Sequence, residues 1–583
     1  MPATGKTKLY IPAFASMFGV ITCLSSSVAD STITQIPPAI AVTPTATHVI
    51  EKPGDTGWQQ AEHRIDVRIV EGNGEFYDRE TGEPFVVRGA NYVFVPSAPG
   101  RYFLELLKVG AYDPELTRKD FQHLADNGYN TVRVFLDHCN FGPKCIGDAD
   151  NGGLNPDYLA NVADMTAAAK QAGIYILFTS NDLPDQGGYA EEANASPRAQ
   201  FAGYRNSYYL TPGAVHATRR YWHDLLSGLI DQQADFDAVL GWQLLNEQWM
   251  FIDQPPLSLT SGNVTTTTGR YDMSDPAEKE LMVVEGVRHY IAEVKAEITG
   301  LDPTALVTMG FFVPELVAPD WYVDTAPLVQ DSALDFFDFH AYPGGIPLGD
   351  QAEKFGMLGF NEKPILLGEY GAFRNSYSTL EAAARGIARW QVDSCDLGFD
   401  GWLYWTYYPN NLGVGDTTWG LVEDDEFLFD LIAPINHPDP CAELVIASDN
   451  LAIEKPVRVS HALPGEPGAL AVDEIETTQW GAGAGPSQWI EVDLQVNSRI
   501  TQIRLLVAQF PAGNTIHQIL VKGSSGNYTT LHEFSQHTME GDWLEFSPDT
   551  PLEDVQFVQV LTTQSPSWVA WKEIQVYGAA SQP

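Results

Sequence analysis

From about residue 58 to 437 the chain alternates short apolar runs with longer stretches whose apolar residues recur every three to four positions. The runs are FVVRGANYVF, NTVRVFLDH, GIYILFTSND, VLGWQLLNE, ALVTMGFF, DFFDFHAYP, PILLGEYG and GWLYWTYY, and their length and β-branched or aromatic content predict strands. Between them lie helical patterns such as PDYLANVADMTAAAKQAG and EGVRHYIAEVKAEITG, each reaching a glycine suited to a helix C-terminus. Strand alternating with helix predicts a parallel α/β architecture, and eight strands is the number that closes a (β/α)8 TIM barrel. From about 444 to 577 the helical period disappears. WIEVDL, ITQIRLLVA, TIHQILVKG and FVQVLTT are broken by Gly, Ser and Pro there, which predicts a β-sandwich of the jelly-roll kind.

An open doubly wound sheet would show the same alternation, so the polar positions decide. Arg133, Asn246, Glu247, His340, Tyr342, Glu369 and Trp405 all fall at the C-terminal ends of apolar runs. In a closed barrel those ends surround one cavity, where such folds keep their chemistry. A carboxylic acid behind a buried strand is expensive in a core and acceptable at the mouth of a barrel.

The N-terminus adds a processing expectation. Lys6 and Lys8 precede the apolar LYIPAFASMFGVITCL and the small residues SVA, the pattern of an export signal at 1–29 cut after Ala29. Pro12 interrupts the run, and Thr22 before Cys23 fits a lipoprotein signal poorly. Residues 30–57, rich in Thr, Pro and Ala, read as an extended linker. No later segment has the length and apolarity of a membrane span. A secreted, extracellular protein, in some settings associated with a cell surface, is therefore expected.

Charge narrows the partners. The chain carries 33 basic and 76 acidic residues, a net −43, and losing Lys6 and Lys8 with the signal would make it −45. Such a surface repels nucleic acid and leaves neutral polysaccharides as acceptable partners. Four cysteines remain after signal removal: Cys139, Cys145, Cys395 and Cys441. An even count in an exported chain is compatible with two disulfides, a local one within CNFGPKC and one between Cys395 and Cys441. Four unpaired thiols are the alternative, and the spacing carries no metal signature.

GWQLLNEQW with PILLGEYGAF, together with NTVRVF, FHAYPG and GWLYWTYY, resembles glycoside hydrolase family 5 and its retaining (β/α)8 relatives. The entry hairpin GNGEFYDRETGEPFVVRGANYVF is similar to that of the mannanase-like branch, so the resemblance runs from about 65 to 410. It implies Glu247 as acid/base and Glu369 as nucleophile, which agrees with the need of retaining hydrolysis for two carboxyls about 5 Å apart. It also implies that Asn246 holds a sugar hydroxyl, that Arg133 and Tyr342 attend Glu369, and that His340 lies near the acid/base. Trp405 would be the ring beneath the sugar, and Asn181, in a loop similar to that of β-mannanases, a substrate contact. No cofactor is implied for catalysis.

NLAIEKPVRVS, AVDEIETTQW, SQWIEVDL and SPSWVAWKEIQVYG resemble the discoidin, or coagulation-factor C-type, fold, which often serves as a family 32 carbohydrate-binding module. That resemblance places Trp480, Trp489 and Trp571 in the sandwich core. It implies a structural calcium with Asp473, Thr478 and Glu573 as ligands, although Glu474 and Ile475 depart from the pattern. The expected domains are thus 1–29 signal, 30–57 linker, 58–437 catalytic barrel and 444–577 sandwich. The expected function is retaining hydrolysis of a β-linked polysaccharide or oligosaccharide by a monomer, β-mannan before β-glucan. A non-catalytic carbohydrate-binding or adhesion protein on a degenerate barrel is the alternative.

Overall fold

The computed structural model describes residues 60–93, 105–139, 142–195, 201–313, 321–409 and 417–580. The expected signal and linker lie outside the described residues.

A hairpin opens the fold, β1 (Ile65–Val70) pairing antiparallel with β2 (Asn73–Asp78). The barrel strands follow: β3 (Val87–Asn91), β4 (Thr131–Leu136), β5 (Tyr175–Ser180), β6 (Val239–Gln243), β7 (Val307–Thr308), β8 (Gly310–Phe312), β9 (Phe337–His340), β10 (Ile365–Tyr370) and β11 (Gly401–Tyr404). All neighbours pair in parallel, with β11 returning to β3. The fifth apolar run is split at Met309. Its first piece, β7, pairs with β6 and its second, β8, with β9, so the two ends of the nine-stranded sheet belong to one stretch of chain and close a barrel.

Helices cover the outside, and their starts share one chemistry. α1 (Pro114–Asp126), α2 (Pro156–Ala172), α3 (Pro212–Asp231) and α4 (Pro276–Leu301) each begin with proline behind Asp113, Asn155, Thr211 or Asp275, whose side chain accepts from a first-turn amide. α2 ends as expected on Gly173, at φ 76°. α4 does not end on Gly300: its last turn runs on to Leu301, and the Asp302 amide bonds back to Ile298. α5 (Leu380–Leu397) follows β10.

Two layers fill the barrel. Ile65 and Phe76 of the hairpin pack with Val87, Leu177, Leu240, Leu306, Phe336, Leu366 and Leu403, a dry plug at the N-terminal ends of the strands. Above it, buried polar side chains take over: Asn91, Arg133, Thr179, Gln243, Asp338 and Glu369. The switch from apolar to polar along the same strands sets the position of the site.

The C-terminal module is an antiparallel sandwich. Its long strand β12 (Gln488–Val507) pairs with β15 (Leu552–Gln564) and β16 (Ala570–Ala580), and β13 (Gly513–Lys522) pairs with β14 (Thr529–Thr538) and β15. The last strand thus runs past the expected boundary at 577. Trp480 and Trp571 lie in its core beside Ile490, Leu505, Ile519 and Ile574. Trp489 departs from expectation. It is half-buried, because it follows the rim residue Gln488 at the start of β12.

Candidate active site

Arg133, at the centre of the upper layer and fully buried, organises the site. Its Nη1 donates to Glu369 Oε1 at 2.6 Å and to Asn91 Oδ1 at 2.8 Å, its Nη2 to Asn246 Oδ1 at 2.6 Å, and its Nε to Gln243 Oε1 at 2.8 Å. One guanidinium fork therefore ties together strands β3, β4, β6 and β10. Glu369 receives a second bond, from the Tyr342 hydroxyl to Oε2 at 2.8 Å. His340 Nδ1 lies 2.7 Å from Glu247 Oε1 and 3.5 Å from Glu369 Oε1, with Asp338 Oδ2 3.6 Å from its Nε2.

Oxygen atoms of Glu247 and Glu369 and a ring nitrogen of His340 all lie within 4.8 Å of one another. Three such groups resemble a cation site, but the positive charge there is already supplied by Arg133, bonded to Glu369, and His340, bonded to Glu247. Burial and charge act on each of His340, Asp338 and Glu369. Burial pulls the His340 ring down, yet Glu369 and Asp338 and the bond to Glu247 outweigh it and raise the imidazole to about 9. Burial also works against ionised Asp338, but His340 and Arg133 bring its carboxyl below the usual range. Burial raises the Glu369 carboxyl, His340 and Arg133 pull it back, and Glu247 pushes it up again. At neutral pH the cluster holds two cations, Arg133 and His340, and the anion Asp338. The net direction for Glu369 is upward, and the donors that favour its charged form are Arg133 and Tyr342.

The remaining expected residues fall around this cluster. Asn246 is buried with its amide oxygen held by Arg133. Trp405 follows β11, edge-on to Phe135 at 6.0 Å, and only 2% of it is exposed, so a ligand would reach no more than a thin strip of the ring. Asn181 follows β5 and its amide nitrogen lies 3.0 Å from His138 Nδ1. Past Glu247, Trp249 stacks on Trp321 at 4.5 Å with Phe251 edge-on, and the Arg205 guanidinium lies 4.5 Å from the Trp249 ring. Tyr209, by contrast, is buried packing.

Sequence reasoning missed Asn91, Gln243 and Asp338. The signal was present: Asp338 and His340 are two apart on one strand and must share a face. Gln243 donates to Asp338, and Thr179 donates to Gln243 at 2.6 Å, so these polar groups form one satisfied network.

Cys139 is bonded to Cys145 and Cys395 to Cys441. Among the described residues no helix is long and apolar enough to cross a membrane. In the module, Glu573 is fully buried and neither carboxylate oxygen has a hydrogen-bond partner, although the Glu474 amide faces it. Beside it Asp473 accepts from the Ile475 amide at 2.9 Å and from the Thr478 hydroxyl, which also reaches the Leu470 and Ile475 carbonyls. This is an all-oxygen donor set around an orphaned carboxylate, which fits the hard cation calcium.

Comparison with known proteins agrees with the sandwich. Residues 456–574 match the family model of the F5/8 type C domain. Similar solved structures include chitosan-binding module 1 from the chitosanase/glucanase of Paenibacillus sp. IK-5, at 26% identity over 22% of this chain and 98% of that one, TM-score 0.20. The family 32 carbohydrate-binding module of C. perfringens NanJ, in complex with galactose, is similar at 17% identity over 21% of this chain and 93% of that one, TM-score 0.20. The exo-β-1,4-mannosidase Op5Man5 from Opitutaceae bacterium strain TAV5 is similar at 18% identity, TM-score 0.40, over 58% of this chain and 55% of that one. No curated protein matches the chain.

Proposed function

We propose that this protein is a secreted retaining β-glycosidase in which Glu369 attacks the anomeric carbon and Glu247 protonates the leaving oxygen. The observation that carries this reading is the approach of the Glu247 and Glu369 oxygens to within 4.8 Å. Retaining pairs stand about 5 to 5.5 Å apart, whereas inverting pairs leave about 6.5 to 9.5 Å for a water. The donors divide the two roles. Glu369, held by Arg133 and Tyr342, is kept as the carboxylate, and its paired oxygens aim it at one point. Glu247, whose Oε1 lies 2.7 Å from His340 Nδ1, is the proton donor in this reading. After the glycosyl bond to Glu369 forms, Glu247 as carboxylate takes a proton from the incoming water. With its oxygen on Arg133, Asn246 presents its amide nitrogen to a sugar hydroxyl.

β-Mannan is the preferred substrate class and β-glucan the next, because the sequence of the loop after β5, which carries Asn181, resembles that of β-mannanases. Trp249 and Trp321 supply a half-buried aromatic shelf past Glu247 for further sugar rings. The two disulfides support an extracellular setting. The F5/8 type C module binds carbohydrate in this reading. Phe510 and Trp568, 86% and 56% exposed, flank a cavity of ≈ 210 Å³ that Glu466, Gln479 and Gln509 also line. Apart from that cavity, Asp473, Thr478 and Glu573 would hold a calcium ion, whose role would be to neutralise the buried acids and fix the turn that bears them.

Reducing-sugar release from mannan, mixed-linkage glucan, cellulose and xylan tests the reading, beside Glu369→Ala. Cleavage of one polymer, lost by at least about 10³-fold in the variant, is the expected result. A wild type that binds one polymer and cleaves none would favour the adhesion reading. A variant as active as the wild type would remove Glu369 from its role.

A further inference from the structure

The C-terminal module touches the barrel at the loops that follow β9 and β10, the two loops that run directly out of the site. Thr477 Oγ1 donates to the Gly344 carbonyl at 2.9 Å and lies 2.9 Å from Ser376 Oγ. The Glu476 amide donates to the Ser376 carbonyl at 2.9 Å. Ile475 packs against the barrel's own hydrophobic core. Glu474 is gripped by the Arg385 fork of α5, Nε at 2.7 Å and Nη2 at 2.8 Å. Residues 474–477 are thus a continuous plug, held by an ion pair, an apolar side chain and hydrogen bonds that include one from Ser378 Oγ to the Glu476 carboxylate. The fit is close. Gly344 has φ +109°, and a Cβ there would lie 2.6 Å from Ser376 Oγ and 3.0 Å from Thr477 Oγ1.

Both braced loops lead back to the same carboxylate. Gly344 stands two residues beyond Tyr342, whose hydroxyl bonds Glu369, and Ser376 three beyond Phe373. The Phe373 ring packs on Tyr342 at 4.9 Å. The Tyr342 ring therefore lies between two loops that Thr477 bridges.

Building on the glycosidase reading, we propose that Thr477 is a positioning residue for Glu369, acting through Gly344 and Tyr342, so that the C-terminal module completes the cleft of the barrel. A module serving only as a tether would need no such contact with loops of the site. The groups facing Glu369 are Arg133 on β4, Glu247 after β6, and His340 and Tyr342 on and after β9. Arg133 and His340 sit on strands the module does not touch. Tyr342 is the member that loosening the Gly344 loop would release.

The full chain carrying Thr477→Val, with Thr477→Ser as the conservative partner, tests this through two independent readouts. The first is hydrogen exchange in peptides spanning 342–346 and 373–378, which needs no turnover. Thr477→Val is expected to speed exchange there about 10-fold, with the rest of the barrel unchanged, and Thr477→Ser to restore it. The second is the pH profile on whichever polymer the wild type cleaves. Thr477→Val is expected to lower kcat more than it changes KM and to move the acid limb to higher pH, because Glu369 loses the Tyr342 donor that favours its charge. Unchanged exchange at both loops, or exchange raised equally throughout the chain, would overturn the proposal. If the wild type cleaves nothing, the glycosidase reading fails and the exchange result decides the brace alone.

Discussion

His340 touches Glu247, faces Glu369 and lies beside Asp338, so its charge state governs the whole cluster. Its imidazole is raised from 6.5 to about 9. Below about pH 6.5 the ring is protonated in folded and unfolded chains alike, and its stabilising attraction to the three carboxyls is fully present. As pH climbs towards 9 the unfolded ring has already lost its proton while the folded one must keep it, and that contribution is lost. Stability should therefore fall between about pH 6.5 and 9, and the fall should be shallower in His340→Gln. Thermal melts across that range check it, and identical slopes would contradict it. At this scale the sequence was readable where a charged or amide side chain closed an apolar run, as with Asn246 and Glu369. It was least readable at Asn91 and Gln243, polar residues whose partners Arg133 and Asp338 lie far along the chain.

At the scale of elements, the strands make room for the site through glycine. Gly368 precedes Glu369 on β10, and a Cβ there would fall 1.6 Å from Asp338 Oδ1 on β9. The buried Asp338 carboxylate occupies the space a side chain would fill. Gly368→Ala should therefore destabilise by about 1 to 3 kcal/mol or more, since neither the strand nor the polar network can yield easily. Urea unfolding would measure it, and an unchanged midpoint would show that Asp338 has somewhere else to go. The eight barrel runs were visible in the hydrophobic pattern because each strand is buried on both faces. The split of the fifth run at Met309 was not, because where the ring closes is set by pairing with β6 and β9. Gly300 misled for a related reason: α4 packs against its neighbours strongly enough to carry one weak helix former in its last turn.

For the whole molecule, the C-terminal module meets the barrel at Gly344 and Ser376, in the loops that leave the candidate site, so the stability of one bears on the other. If calcium occupies the Asp473, Thr478 and Glu573 site, it stabilises only the folded chain. At about 100 times its dissociation constant it should add about 2.7 kcal/mol. The melting temperature should fall on chelation, recover with calcium, and lose its calcium dependence in Glu573→Gln. A melt indifferent to calcium would remove the ion from the account. The two-module organisation was legible from the change of period near 444. The contact between the modules was not, since Glu474, Ile475 and Thr477 have no sequence pattern that points to the barrel.

The measurement closest to the central claim is the anomeric configuration of the first product released from a β-linked mannan or glucan oligosaccharide, followed by proton NMR before mutarotation. A pair of carboxyls within 4.8 Å, one acting as nucleophile and the other as acid/base, predicts that the β anomer appears first. If the α anomer appears first, water attacks directly, and Glu369 is a base and not a nucleophile.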